Sequence, residues 1–275
     1  MIETVRPDAS ASQASVVIFD FDGTLSLIRS GWMEVMIPLC VEQLALLDTG
    51  ECREELRQTV EEFVWRLTGK ETIYQMMALA EAVVARGGTP CPPAVYKKMY
   101  LERLWLKIRD RIGALRSGRA KPEEYMVPGA RALLETLRRQ GMRMYLASGT
   151  DDANVKEEAD LLDVARYFEG RIFGAQEDLK SFSKAMLVQQ ILAKTGGVQA
   201  DQLLVFGDGF VEIEEVKRKG GTAVGVATAE PDCADIDEWK RRRLIHAGAD
   251  FIIPHYRDLD AILSVVFQMP AAAIS

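Results

Sequence analysis

A chain of 275 residues, 48% of them hydrophobic and 27% charged, can fill one large core or two modest ones. Its formal net charge of −7 excludes the basic footprint of a nucleic-acid binder. No stretch is apolar for the length of a membrane span, and residues 1–14 lack the apolar core of a signal peptide and read as a frayed tail. Cys40, Cys52, Cys91 and Cys233 show no CxxC pair or zinc-like spacing, which suits scattered thiols in a reducing cytoplasm.

The first element is Val16–Phe19, an apolar and largely β-branched run of the kind found in a buried parallel strand. Asp20, Asp22, Gly23 and Thr24 follow it. On an extended chain the two carboxylates would face the same side, where like charges need a cation or a proton between them. An ordinary Asp-Gly turn accounts for Asp22-Gly23 but leaves Asp20, at the end of the apolar run, unexplained. After a loop over residues 24–30, apolar residues at helical spacing predict helices over 32–47, 52–67, 71–85 and 94–115. Pro38 lies inside the first, and the last reads as one long helix or a broken pair. Thr68-Gly69-Lys70 separates the second from the third.

From Val127-Pro128-Gly129 the pattern changes to alternating helix and strand. Helices are expected over 130–140, 152–161, 183–195, 211–219, 236–246 and 257–267. Strands are expected over 143–148, 172–175, 203–207, 223–227 and 251–254. Such alternation implies a parallel sheet covered on both faces, which the first strand must join because it is too apolar to stand alone. The expected fold class is α/β: a Rossmann-like parallel-sheet core of residues 14–26 and 124–275, with an inserted all-α cap domain over 27–123. Ligands in open parallel sheets bind beyond the carboxyl ends of the strands. That is where Asp20, Ser148-Gly149-Thr150 and Asp208, between Gly207 and Gly209, all fall, while Lys184 opens a helix between them. Several carboxylates with no His or Cys among them favour a hard, oxygen-seeking cation, Mg²⁺.

This ordered set resembles the haloacid dehalogenase (HAD) superfamily, in its phosphoglycolate phosphatase and β-phosphoglucomutase-like branch with a helical cap of the C1 type. The resemblance implies Asp20 as a nucleophile on phosphorus and Asp22 as general acid, then base. It implies a metal held by Asp20, the backbone carbonyl of Asp22, and Asp208, with Glu212 at the place where the family usually has Asp. Ser148 and the Gly149 N–H, with Thr150 beside them, would hold phosphoryl oxygens, and Lys184 would neutralise them. Lys70 and Arg29, with Trp32, are candidates for contacting the rest of the substrate.

Each residue also has a structural reading. Ser148 could cap the next helix, Asp208 could be a turn, and Glu212 could stabilise a helix N-terminus. Lys70 follows a helix-capping glycine, Arg29 could be an exposed loop charge, and Lys180 competes with Lys184 for the cationic role. The Arg241-Arg242-Arg243 run reads as a solvated helix face, and His246 and His255 as structural or surface residues. Residues 228–235 have no assigned role. Asp22 argues against dehalogenase and phosphonate-hydrolase chemistry. What stays open is a Mg²⁺-dependent phosphatase acting on a small phosphorylated metabolite, a sugar phosphomutase, or a non-catalytic phosphate- and metal-binding protein. No nucleic-acid or membrane partner is expected, and the oligomeric state is undetermined.

Overall fold

The computed structural model describes residues 2–176, 184–194 and 198–269. Val16–Phe19 is strand β2, buried along its whole length, with β1 (Glu3–Thr4) preceding it. It pairs in parallel with β3 (Arg143–Asp151) on one side and β5 (Leu203–Gly207) on the other, Val16 lying opposite both Arg143 and Leu203. With β4 (Ile172–Ala175), β6 (Thr222–Val226) and β7 (Phe251–Ile253), the sheet has seven strands in the order β1-β7-β6-β5-β2-β3-β4. All neighbours are parallel except β1 against β7. The chain moves outward from β2 through β3 to β4, then returns to β5 on the other side. The strand order therefore reverses at β2 and β5, where a parallel sheet opens a crevice.

Alternation along β2 supplies both layers of the core. Val16 and Ile18 join an apolar cluster with Val205, Leu187, Ile213 and Leu244, which lies under helices α7 (Lys184–Lys194), α8 (Phe210–Arg218) and α9 (Glu238–His246). Phe19 faces the other way and stacks on Phe206 at 5.1 Å, which in turn meets Tyr256 edge-on at 5.8 Å. The crossovers on β3 and β4 are α5 (Ala130–Arg139) and α6 (Asp152–Leu161), and α10 (Leu259–Val265) is the last described helix. The predicted alternation is present, with element ends matching or displaced by about one or two residues. An exception is β3, which runs past Ser148 to Asp151.

Two sequence-based expectations are corrected. The residues read as a frayed tail are held: Glu3–Thr4 adds an antiparallel edge strand to β7, Val5 N–H donates to the Asp250 carbonyl (2.8 Å), and Ala11 is fully buried. The run read as a solvated helix face supplies the anchor, since Arg241 grips both oxygens of Glu3 at 2.6 Å. Arg243 lies over the rings of Phe210 and Trp239, and Arg242 alone of the three is exposed. The tail has no apolar run to announce it because backbone pairing and ion pairs hold it.

By Cα packing the chain divides into two compact units, residues 1–30 with 111–275, and residues 31–110. The second contains α1 (Met33–Ala45), α2 (Arg53–Leu67), α3 (Thr72–Ala85) and most of α4 (Pro93–Arg116), a single unbroken helix that carries the chain back into the first unit. Pro38 is accommodated inside α1. Ion pairs Arg86–Glu51 (2.6 Å), Arg103–Glu42 (2.7 Å) and Lys107–Glu34 (2.7 Å) tie these helices together. Among the described residues, no helix is long and apolar enough to cross a membrane.

Asp250, immediately before β7 and only 1% exposed, locks the far side of the sheet. Its carboxylate accepts from Lys217 Nζ (2.8 and 2.9 Å) and from Ala223 N–H (2.8 Å). Removing one partner of a buried pair strands the other. Asp250→Ala is therefore expected to lose about 3–5 kcal/mol in urea denaturation.

Candidate active site

Asp20 follows β2, and its N–H donates to the Phe206 carbonyl (2.9 Å), carrying the β2–β5 ladder one residue further. That bond fixes Asp20 at the point where the two strands open. Its carboxylate is buried, accepts from Phe21 N–H (2.8 Å) and lies 2.9 Å from Lys184 Nζ, the first residue of α7. Burial pushes the Asp20 carboxyl well above its usual range, and the carboxylates of Glu212 and Asp208 add to that against the pull of Lys184. Burial works against the Lys184 ammonium, but Asp20 and Glu212 hold it above its ordinary value. Lys180, the competing cation, lies outside the described residues.

Asp22 stands on a tight loop closed by Gly23 N–H donating to the Ser26 carbonyl (2.9 Å). Asp22 Oδ2 accepts from the Thr150 hydroxyl at 2.7 Å, while Arg29 Nε stands 4.0 Å from Oδ1. Oδ1 is buried, and no described donor reaches it within hydrogen-bond distance. Burial raises the Asp22 carboxyl, opposed by Arg29 and the Thr150 hydroxyl. Thr150 is aimed from β3 by Ser148, whose Oγ accepts the Thr150 N–H at 3.0 Å. Ser148 therefore does not cap the following helix; its N-cap is Asp151.

Asp208 follows β5, and its N–H donates to Thr24 Oγ1 at 3.0 Å. Gly23 makes this approach possible: its φ of +75° suits glycine, and a Cβ there would collide with Asp208 Oδ2. Gly207 has an equivalent role for Glu212, whose carboxylate fills the space a Cβ would take. Glu212 is fully buried in the first turn of α8, with Oε1 accepting from Gly209 N–H (3.0 Å) and Oε2 at 2.8 Å from Lys184 Nζ. One carboxylate oxygen each from Asp20, Asp208 and Glu212 lie within 4.8 Å of one another.

The structure thus gathers Asp20, Asp22, Ser148, Thr150, Lys184, Asp208 and Glu212 at the carboxyl ends of β2, β3 and β5. Gly149 lies between Ser148 and Thr150 on β3. Arg29 differs from an exposed loop charge. Its side chain is 11% exposed and clamps Glu158 of α6 with Nε at 3.1 Å and Nη2 at 2.7 Å. Lys70 and Trp32 belong to the helical unit, Lys70 exposed with its ammonium 5.6 Å from the Tyr74 ring centroid. His246 is exposed, and His255 Nδ1 accepts the Arg257 N–H (3.3 Å); among the described residues neither joins these groups.

A model of the haloacid dehalogenase-like hydrolases matches residues 14–218. The chain belongs to that family. Solved HAD structures agree in fold. A conserved haloacid dehalogenase-like protein from Agrobacterium tumefaciens is 19% identical with a TM-score of 0.57, over 91% of this chain and 98% of that one. A predicted phosphoglycolate phosphatase from Haemophilus somnus is 14% identical at a TM-score of 0.57, over 91% and 98%. A mutant CbbY from Rhodobacter sphaeroides, in complex with xylulose-(1,5)bisphosphate, is 18% identical at 0.54, over 90% and 96%. None of the curated proteins matches the chain in sequence.

HAD hydrolases typically use a divalent metal, and the donor set here fits one. It is all oxygen, as hard cations require. Among the described residues, Asp20 and Glu212 face the Lys184 ammonium while Asp208 and Glu230 face that of Lys240, so these four carboxylates and two ammoniums leave two formal negative charges. Sequence reasoning did not assign Thr24, Glu158, Glu230 or Lys240. Thr24 was within the motif already quoted, but nothing in the spacing marked its hydroxyl as the acceptor for Asp208. The other three meet the site only through long-range packing.

Gly23→Ala combines a strained φ with a collision against Asp208. It is expected to lose about 1–3 kcal/mol in chemical denaturation, and its crystal structure should show the Asp208 carboxylate displaced.

Proposed function

We propose that the protein is a Mg²⁺-dependent phosphoric monoester hydrolase working through an aspartyl-phosphate. The observation that carries this is Asp20: a buried strand-end carboxylate held by Lys184, beside Asp208 and Glu212. One oxygen of Asp20 attacks phosphorus, and the bond to the leaving oxygen breaks. Asp22, steadied by the Thr150 hydroxyl, gives that oxygen its proton. Water then attacks the phosphorus of the aspartyl-phosphate, Asp22 takes a proton from it, and phosphate leaves with the Asp20 carboxylate restored. Ser148, the Gly149 N–H and Lys184 hold the phosphoryl oxygens in both steps.

A bound Mg²⁺, held by Asp20, Asp208 and the Asp22 backbone carbonyl, would supply charge neutralisation at the transferring group. Glu212 Oε1 accepts from Gly209 N–H, while Oε2 meets Lys184 as an ion pair without a hydrogen bond, so Glu212 orients Lys184 and keeps an oxygen beside Asp20 and Asp208 where it could reach the metal. The substrate class is a small phosphorylated metabolite, in keeping with the predicted phosphoglycolate phosphatase and the bisphosphate complex among the structural neighbours. We assign substrate choice to the helical insertion over residues 27–123, with Lys70 favouring an anionic substrate, whereas Arg29, clamped on Glu158, acts on the charge of Asp22. A cytoplasmic setting fits the scattered free thiols.

Phosphate release from p-nitrophenyl phosphate and a panel of phosphorylated metabolites tests the reading. Release is expected with Mg²⁺, absent with EDTA, and reduced roughly 10³-fold or more in Asp20→Asn. A Mg²⁺-binding protein that releases phosphate from none of them would overturn it. Thr150→Val, which takes the donor from Asp22, is expected to lower kcat by about tenfold with KM little changed, and Thr150→Ser to restore it.

A further inference from the structure

Lys240 stands in the first turn of α9, beyond the matched family region, and its N–H is capped by Asp237 Oδ1 at 2.9 Å. Its side chain turns inward rather than to solvent. The ammonium, on a side chain 10% exposed, lies 3.0 Å from Asp208 Oδ2 and 2.7 Å from Glu230 Oε1. Glu230 reaches this point from the connection between β6 and α9. That connection is pinned by the Thr228 hydroxyl donating to the Pro254 carbonyl (2.6 Å) and by Asp237 N–H donating to the Ala227 carbonyl (2.9 Å). The Glu230 carboxylate also borders the Asp22-Gly23 loop: a Cβ on Gly23 would come 3.1 Å from its Oε1. A buried ammonium is thus clamped between an acid of the metal cluster and an acid outside it.

We propose that Lys240 is a built-in counter-cation of the metal site, neutralising Asp208 in the metal-free protein, with Glu230 retaining the ammonium when a divalent cation takes Asp208. The inference rests on the metal-site reading above. A carboxylate shared by an ammonium and a divalent ion carries two cations that repel each other, so Lys240 weakens the hold on the metal. Without the ammonium, Asp208 and Glu230 present two uncompensated charges, and attraction for a divalent cation rises. Without the Glu230 charge, Asp208 is the ammonium's remaining acidic partner among the described residues, and competition with the metal strengthens. The two substitutions should therefore act in opposite directions, which loss of packing alone would not produce.

The test is Mg²⁺ affinity of the full chain by isothermal titration calorimetry, without substrate. Lys240→Met is expected to bind Mg²⁺ about tenfold more tightly, and Glu230→Gln several-fold more weakly. In metal-free buffer Lys240→Met should melt lower than the parent, and Mg²⁺ should raise its melting temperature by more. Lys240→Gln replaces Lys240→Met if the latter does not fold. Unchanged or weaker Mg²⁺ binding in a folded Lys240 variant, or unchanged binding in Glu230→Gln, overturns the proposal. Asp208→Asn separates the two levels: if it leaves Mg²⁺ affinity unchanged, the metal-site reading itself fails.

Discussion

Negative charge is concentrated and buried where β2 and β5 open, and much of the surrounding structure keeps that arrangement intact. An isolated buried carboxylate is costly enough that a protein ordinarily protonates or pairs it. Here Asp20 and Glu212 share the Lys184 ammonium, with Nζ within 3 Å of each. Ion pairing of this kind seldom adds net stability over apolar packing, so its value lies in position. It holds two acids at defined points while leaving the set as a whole negatively charged.

Position is then enforced by backbone. Asp20 and Asp208 each follow a strand directly, and the β2–β5 ladder continues as far as the Asp20 N–H. Gly23 and Gly207 clear the volume that the Asp208 and Glu212 carboxylates occupy, and Thr24 accepts the Asp208 N–H. A run of short, local constraints therefore aims side chains that are far apart in sequence. Asp22 is held differently, by one hydroxyl bond from Thr150 with Arg29 more distant. A looser tether suits a group that gives up and then accepts a proton, whereas the nucleophile is better served by rigidity.

The apolar architecture makes this affordable. β2 is buried on both faces, with Val16 and Ile18 toward α7, α8 and α9 and Phe19 toward Phe206 and Tyr256. Those contacts keep the strand ends from moving apart under charge repulsion. Beyond them, Asp250 with Lys217, and Glu3 with Arg241, secure the edge that carries β1 and β7. The polar network is thus anchored on one side by packing and on the other by ion pairs.

Much of this could be read from the chain itself. Hydrophobic period is a local property, so the strands and helices from Ala130 onward, and the four helices of the insertion, followed from spacing and Gly/Pro punctuation. The acids at strand ends were legible for the same reason: an Asp closing an apolar run stands out, as Asp20 and Asp208 do. The chain did not reveal that Glu3 would meet Arg241, that Arg29 would be clamped by Glu158, or that Lys240 would reach Asp208 with Glu230. Each of those pairs joins surface-type residues whose burial depends on elements far away in sequence, and no local pattern distinguishes a charge facing solvent from one facing another charge. Sequence alone determined the class of fold and the placement of the acids. Tertiary structure decided which cations meet them, because only packing selects among the many charges a chain of this composition carries.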